Sequence, residues 1–148
     1  MASIPKVLHD YLNTAFPQNV CLVSSVQPDG YAQVSPKGSL QVYDDQTLAY
    51  WDRGKGSTHD AVEDGSKVTV YYRNPELGAA GTKLLPAGGI ARFYGTAKLV
   101  ANGSPEAEKI YASMVQPERD RDPEKKGSGV LIKIERAEDL GGNPLNLD

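Results

Sequence analysis

Ile4, Val7, Leu8, Tyr11, Leu12 and Ala15 recur at intervals of three and four residues, the spacing that lines one face of a helix, and Pro17 marks its stop. The spacing predicts a helix within residues 1–17 that lies on a core. Over residues 20–27 the chain turns to β-branched and apolar residues, Pro28-Asp29-Gly30 supplies turn chemistry, and residues 31–36 resume as a strand, which predicts a β-hairpin. Two further strands, over residues 39–43 and 47–52, flank a turn at Asp44-Asp45-Gln46. Ser57 or Thr58 then starts a short helix reaching about residue 64, with Asp60 three residues after Ser57 as in a capping box, and Gly65 as its stop. Residues 67–73 alternate Val68, Val70 and Tyr72 against Thr69 and Tyr71, the period of a strand, before the Asn74-Pro75 break.

Residues 78–89 hold alanines, Pro86 and several glycines and predict a loop. Residues 90–101 read as a long strand in which Gly95 marks a bulge or a close backbone approach. Ser104-Pro105 opens a helix with an apolar stripe of Ala107, Ile110, Tyr111, Met114 and Val115. Residues 117–129 alternate charges and predict a solvated connection, residues 130–135 supply a last strand, and residues 137–148 a tail. Hairpins dominate this order and helices are too few to serve as crossovers. The expected fold is therefore mainly β with peripheral helices, a small barrel of mostly antiparallel strands rather than a doubly wound sheet. A chain of 148 residues suits a single domain spanning 1–148.

Composition narrows the function. Sixteen Lys and Arg against nineteen Asp and Glu leave a net charge of −3, and the pI near 5.4 argues against a nucleic-acid surface. Cys21 is the sole cysteine and sits among Val20, Leu22 and Val23, so it reads as a small core residue and no internal disulfide can form. With only His9 and His59 beside it, a zinc site has too few ligands, and no metal is expected. No apolar run reaches membrane-spanning length, and His9 and Asp10 interrupt any secretory core. The expectation is a cytoplasmic protein with no membrane partner.

Candidate chemistry concentrates in residues 34–58. Lys37-Gly38 bends the chain after one strand, and Arg53-Gly54-Lys55-Gly56-Ser57-Thr58 follows another. This second segment is not a Walker loop, because Ala49 stands where the leading glycine belongs and Gly56 where a Ser or Thr must follow the Lys. Three basic side chains, two hydroxyls and the N–H groups of a helix start make a seat for a phosphate. A capped helix with lysines in solvent accounts for the same residues, and the residues alone leave both readings open. Trp51 is expected to be buried, in the core or beside a ligand, whereas His59 reads as an exposed polar residue. No nucleophile–base pair or paired carboxylates stand out.

The segment from residue 20 to about residue 135, with its Lys37 turn and its Arg53–Thr58 turn, resembles the FMN-binding split-barrel family related to pyridoxamine 5′-phosphate oxidase. The resemblance implies a split β-barrel of Greek-key type and a noncovalent FMN. Lys37 would hold the FMN phosphate from one side, and Arg53, Lys55, Ser57 and Thr58 from the other. Main-chain groups around Val34, Ser35 and Pro36, with Trp51 and Asp52, would run beside the ring and ribityl chain. It further implies a homodimer with the flavin at the interface, residues 78–89 being the candidate contribution of the second chain, and a small-molecule substrate or electron donor. The oxidases of this family carry a carboxy-terminal Arg and His cluster for the substrate phosphate, whereas this sequence ends in GGNPLNLD with Arg136 as the one basic residue after the expected last strand. The expected activity is therefore a flavin-dependent oxidoreductase other than pyridoxamine 5′-phosphate oxidase. Alternatives within the resemblance are a non-catalytic flavin-binding or storage protein, a deazaflavin-dependent reductase and a haem-binding protein.

Overall fold

The computed structural model describes residues 2–147. Helix α1 (Lys6–Asn13) precedes the hairpin β1 (Leu22–Val26) and β2 (Ala32–Pro36), then β3 (Gln41–Asp44), β4 (Thr47–Asp52) and a short α2 (Ser57–Ala61). Strand β5 (Lys67–Arg73), a 3-10 turn (Pro75–Leu77), β6 (Ile90–Val100), α3 (Pro105–Ser113), α4 (Gln116–Arg119) and β7 (Ser128–Glu138) complete the chain. All seven strands join one sheet in the order β2-β1-β5-β6-β7-β4-β3, and every pair is antiparallel. β4 lies beside β7, at the far end of the β5–β6–β7 run, which is the Greek-key arrangement. The fold is thus the mainly β barrel of antiparallel strands that the hairpin pattern predicts, in the split form that the family resemblance implies.

One core cluster fills the barrel. Val68, Val70 and Tyr72 from β5, Phe93 from β6, Ile132 and Ile134 from β7 and Leu48 and Tyr50 from β4 meet Ile4, Leu8 and Leu12 of the helical segment. A second cluster lies on the other side of β4, where Ala49 and Trp51 pack against Ala107, Ile110 and Met114 of the α3 region. β4 is consequently buried on both faces along its whole length, which explains why its sequence is an apolar run without alternation. Ser104 caps α3, its hydroxyl accepting the Ala107 N–H at 3.1 Å. No helix among the described residues is long and apolar enough to cross a membrane.

Gly95 sits at a register shift between β6 and β7, and a Cβ there would stand 2.4 Å from the Lys133 carbonyl oxygen. Both readings of this glycine, bulge and close approach, therefore hold. Gly95→Ala is expected to destabilise the fold by about 1–3 kcal/mol, because the ladder must open locally; urea unfolding measures it, and an unchanged midpoint would contradict the close approach.

Three expectations need correction. The α2 helix ends at Ala61 rather than near residue 64, and no capping box forms: Gly56 is the N-cap, with no side-chain cap bond. The Thr58 hydroxyl instead turns inward and donates to Gln33 Oε1 at 2.8 Å. The charged stretch after Met114 is not a solvated loop, since it contains α4 and a buried Asp122. β7 runs on to Glu138, so Arg136 lies within the last strand, stacked 3.9 Å from the Tyr94 ring and paired to Glu138 at 2.8 Å.

Candidate functional site

The β2–β3 turn and the end of β4 approach each other because Ser39, in the first, bonds the backbone of Trp51 in the second: its Oγ accepts the Trp51 N–H at 2.9 Å. Between them lies a cleft of about 240 Å³. Four cations line it, Lys37, Arg53, Lys55 and Arg121, against two carboxylates, Asp52 and Glu118. Phe16, Val20 and Pro36 supply apolar walls. The cations outnumber the carboxylates, so the lining carries a net positive charge.

Lys37 is half-buried, with its Nζ 5.2 Å from the Tyr50 ring centroid. Burial lowers its pKa from the ordinary lysine value, Arg53 adds to the lowering, and Asp52 and Glu118 oppose it. Among the described residues no carboxylate lies at ion-pair distance from Lys37, Arg53 or Lys55, whereas Arg121 pairs with Glu118 at 3.3 Å. A desolvated ammonium without an anion is a strong recruiter of one.

Asp52 is buried, yet both of its carboxylate oxygens are occupied. Oδ1 accepts the Gly54 N–H at 2.8 Å, and Oδ2 accepts from His59 Nδ1 at 2.7 Å. His59 is therefore partnered across the turn rather than merely solvated. Trp51 is 5% exposed and packs edge-on against Tyr111, ring centroids 5.2 Å apart at 68°. Its indole N–H donates to Asp122 Oδ2 at 2.8 Å. That carboxylate also accepts the Gly127 N–H at 2.8 Å and, through Oδ1, the Lys126 N–H at 3.0 Å. Burial alone raises the Asp122 pKa, but these three donors together with Arg53 outweigh it and hold the carboxyl below its ordinary range.

Of the residues singled out from sequence, Pro36, Lys37, Trp51, Asp52, Arg53 and Lys55 come together on this cleft. Ser57 opens into a separate hollow beside Gln27, Pro28, Asp29 and Asp60. Thr58 is buried at 3% exposure with its hydroxyl committed to Gln33. Ser35 is half-buried and accepts from Gln33 Nε2, and Val34 stands 56% exposed on the β2 edge strand. Residues 78–89 line none of the cleft: their backbone is pinned by bonds such as Leu85 N–H to the Leu77 carbonyl at 2.8 Å, and Leu85 is buried.

Sequence reasoning misses Glu118 and Arg121, which reach the cleft from α4 and the residue pair beyond it. Their signal is hidden by the alternation of charge from Glu118 to Lys126. The readable clue is Trp51, whose buried indole needs an acceptor and finds it in that segment.

Comparison with known proteins identifies the family and the fold. A family model described as pyridoxamine 5′-phosphate oxidase matches residues 8–140. HupZ of Group A Streptococcus is 24% identical, with 97% of this chain and 98% of that one covered and a TM-score of 0.67. A variant of HupZ gives 26% identity, 93% and 99% coverage and a TM-score of 0.65. A candidate pyridoxamine 5′-phosphate oxidase from Lactobacillus delbrueckii is 24% identical over 93% of this chain and 99% of that one, with a TM-score of 0.60. An FMN-binding protein from Syntrophomonas wolfei is 13% identical over 91% and 87%, with a TM-score of 0.55. No curated protein matches the chain. The family match begins in α1 and runs beyond the end of β7, so it takes in every strand of the barrel and the whole cleft, and the chain belongs to the pyridoxamine 5′-phosphate oxidase family.

Proposed function

We propose that this protein binds FMN, seats its phosphate in the Lys37–Lys55 cleft, and passes electrons between the flavin and a small molecule. The observation that carries this reading is the half-buried Lys37 ammonium without a carboxylate partner, facing three further cations across one cleft. The residues present fit the group: Lys37, Arg53 and Lys55 would bind the phosphate, and the cleft's net positive balance suits a dianion. Bound FMN supplies the redox chemistry itself, and the protein's part is binding, orientation and access. The similarity to an FMN-binding protein supports a flavin, and a structural neighbour described as an F420 reductase, equally 13% identical, keeps a deazaflavin as the second reading.

The cleft measures about 240 Å³, below the roughly 300–1,000 Å³ of pockets that enclose a whole ligand of this size. It suffices for the phosphate end. The main chain of residues 34–36 would run beside the ring, a second copy would cover it with residues 78–89 as the candidate contribution, and the protein would work as a homodimer. The buried Cys21 thiol, pushed up to about 12 by burial, suits a reducing cytoplasm but takes no part in the chemistry.

Pyridoxamine 5′-phosphate is not the substrate in this reading. Its phosphate needs a second cationic seat, and Arg136 is already committed to Tyr94 and Glu138. The absorbance spectrum of the purified protein, with mass analysis of the released ligand, tests the proposal. An oxidised-flavin spectrum and the mass of FMN are expected. A Soret band, or the mass of a deazaflavin, would replace FMN by the corresponding cofactor. Reduction of the bound flavin by a nicotinamide donor, followed by turnover, separates an oxidoreductase from a flavin-storage protein.

A further inference from the structure

The turn that carries Arg53 and Lys55 is tied at both ends to one side chain. Asp52 closes it on the near side through the Gly54 N–H at 2.8 Å and on the far side through His59 of α2 at 2.7 Å. Between those ties Gly54 and Gly56 adopt φ of +81° and +97°, and a Cβ on either would meet nothing within 4 Å. Backbone conformation, not crowding, therefore selects glycine there, and nothing packs against either position where a side chain would stand. Asp52 supplies that shape. It also sets a negative charge in the cleft where a phosphate would have to bind.

We propose that Asp52 is the positioning residue of the phosphate seat and that His59 is its counter-charge, so that protonation of His59 strengthens the hold on a phosphate. The inference rests on the reading of the cleft as the FMN phosphate site. Three charged groups face His59: Asp52 from β4, Asp60 on α2 itself, and Lys37 beyond β2. From the β1–β2 hairpin, which packs against α2, the side chain bonded to this helix is the neutral Gln33. The hydrogen bond to Asp52 and then its charge raise the His59 pKa above the ordinary histidine value, with Asp60 adding, against burial and Lys37. His59 is thus protonated below this raised value and neutral above it. The FMN phosphate becomes a dianion only above about pH 6. The tightest binding falls between these two titrations, where the ligand is fully charged and Asp52 is still neutralised.

Titration of FMN and of riboflavin across about pH 5–9 tests the pair. FMN affinity in the natural protein is expected to fall roughly two- to fivefold on the alkaline side, and riboflavin affinity to stay level. His59→Gln should flatten that limb and bind FMN at neutral pH as the natural protein does at high pH. Asp52→Asn, whose amide oxygen still accepts the Gly54 N–H, should flatten it too while keeping tight binding at high pH. Asp52→Ala, which loses the tie as well as the charge, should weaken FMN at every pH relative to riboflavin. An alkaline limb that persists in His59→Gln overturns the proposal. The imidazole is also read directly by NMR titration of the flavin-free natural protein. His59 should titrate above about 6.5 and drop in Asp52→Asn; an ordinary value in the natural protein overturns the pairing without any ligand. Failure of the parent reading looks different: Lys37→Ala would then leave the preference for FMN over riboflavin unchanged.

Discussion

Replacing both Lys37 and Lys55 by Ala is expected to weaken FMN binding on the order of 10³-fold while riboflavin binding changes little. A charge-assisted hydrogen bond contributes about 1.5–3 kcal/mol. Lys37 belongs at the top of that range, because it is half-buried and, among the described residues, no carboxylate stands at ion-pair distance from it. Lys55 is exposed and belongs at the bottom. Together they give roughly 4–5 kcal/mol, which is about three decades of affinity. Riboflavin has the same ring and ribityl chain but no phosphate, so its affinity reports any general damage, including loss of the Lys37 contact with the Tyr50 ring. Fluorescence titration of both ligands decides the matter. Parallel losses would mean that the lysines hold the barrel or the ring and not the phosphate. The single variants should sum only approximately, since the two ammonium groups share one anion.

Under the proposed function, assembly is linked to the same binding. With a cleft of about 240 Å³ on one chain, most of the flavin has to be enclosed by something else. If a second copy provides that cover, dilution to monomer releases flavin, and FMN raises the apparent dimer affinity by mass action.

The legible part of this protein is the part written in local periods. The i, i+4 spacing of Ile4, Leu8 and Leu12 specified the face of the first helical segment that is buried, and the alternation of Val68, Val70 and Tyr72 gave the inward face of β5. The Pro28-Asp29-Gly30 turn, with Gly30 at φ +91°, fixed the first hairpin. Lys37, Arg53 and Lys55 were readable as a group because two turns bracket them within twenty residues of chain. What stayed hidden depends on contacts between distant segments. Thr58 looks like a cap, but Gln33, twenty-five positions earlier, offers its hydroxyl a better-buried partner than the helix end does. The end of β7 is hidden by Glu135 and Arg136, consecutive charges that break any apolar run, although Arg136, Ala137 and Glu138 still pair with Tyr94, Phe93 and Arg92 of β6. The charged segment after α3 reads as solvated because no local pattern announces that Asp122 will be needed 71 residues away, at Trp51.

That long-range contact leads to the second large effect. Asp122→Ala is expected to destabilise the fold by about 3 kcal/mol, because it leaves the Trp51 indole N–H and the Gly127 and Lys126 backbone N–H groups without their shared acceptor. An orphaned buried donor costs about 1–3 kcal/mol, and Lys126, at the margin of the contact, regains part of its loss from water. For a domain of this size the melting temperature should fall by roughly 6–12 °C. Asp122→Asn keeps the shape and one acceptor oxygen but turns an amide N–H toward the same donors, so it should lie between the natural protein and the Ala variant. The pH dependence has a definite sign. A carboxyl held below its unfolded value contributes stability above about pH 4, and that contribution is lost as pH falls through the lower folded value; the acid limb of the unfolding curve should flatten in both variants. The consequence reaches the cleft as well, since Asp122 anchors the segment that delivers Glu118 and Arg121 to it. Loosened, that segment takes one cation and one carboxylate away together, so the charge balance at Lys37 barely changes while the wall beside Phe16 opens. Flavin should then dissociate faster from Asp122→Ala with its preference for FMN over riboflavin intact, and unfolding free energies from urea titration within about 0.5 kcal/mol of the natural protein's, the ordinary scatter of surface substitutions, would show that the arm is held by something other than Asp122.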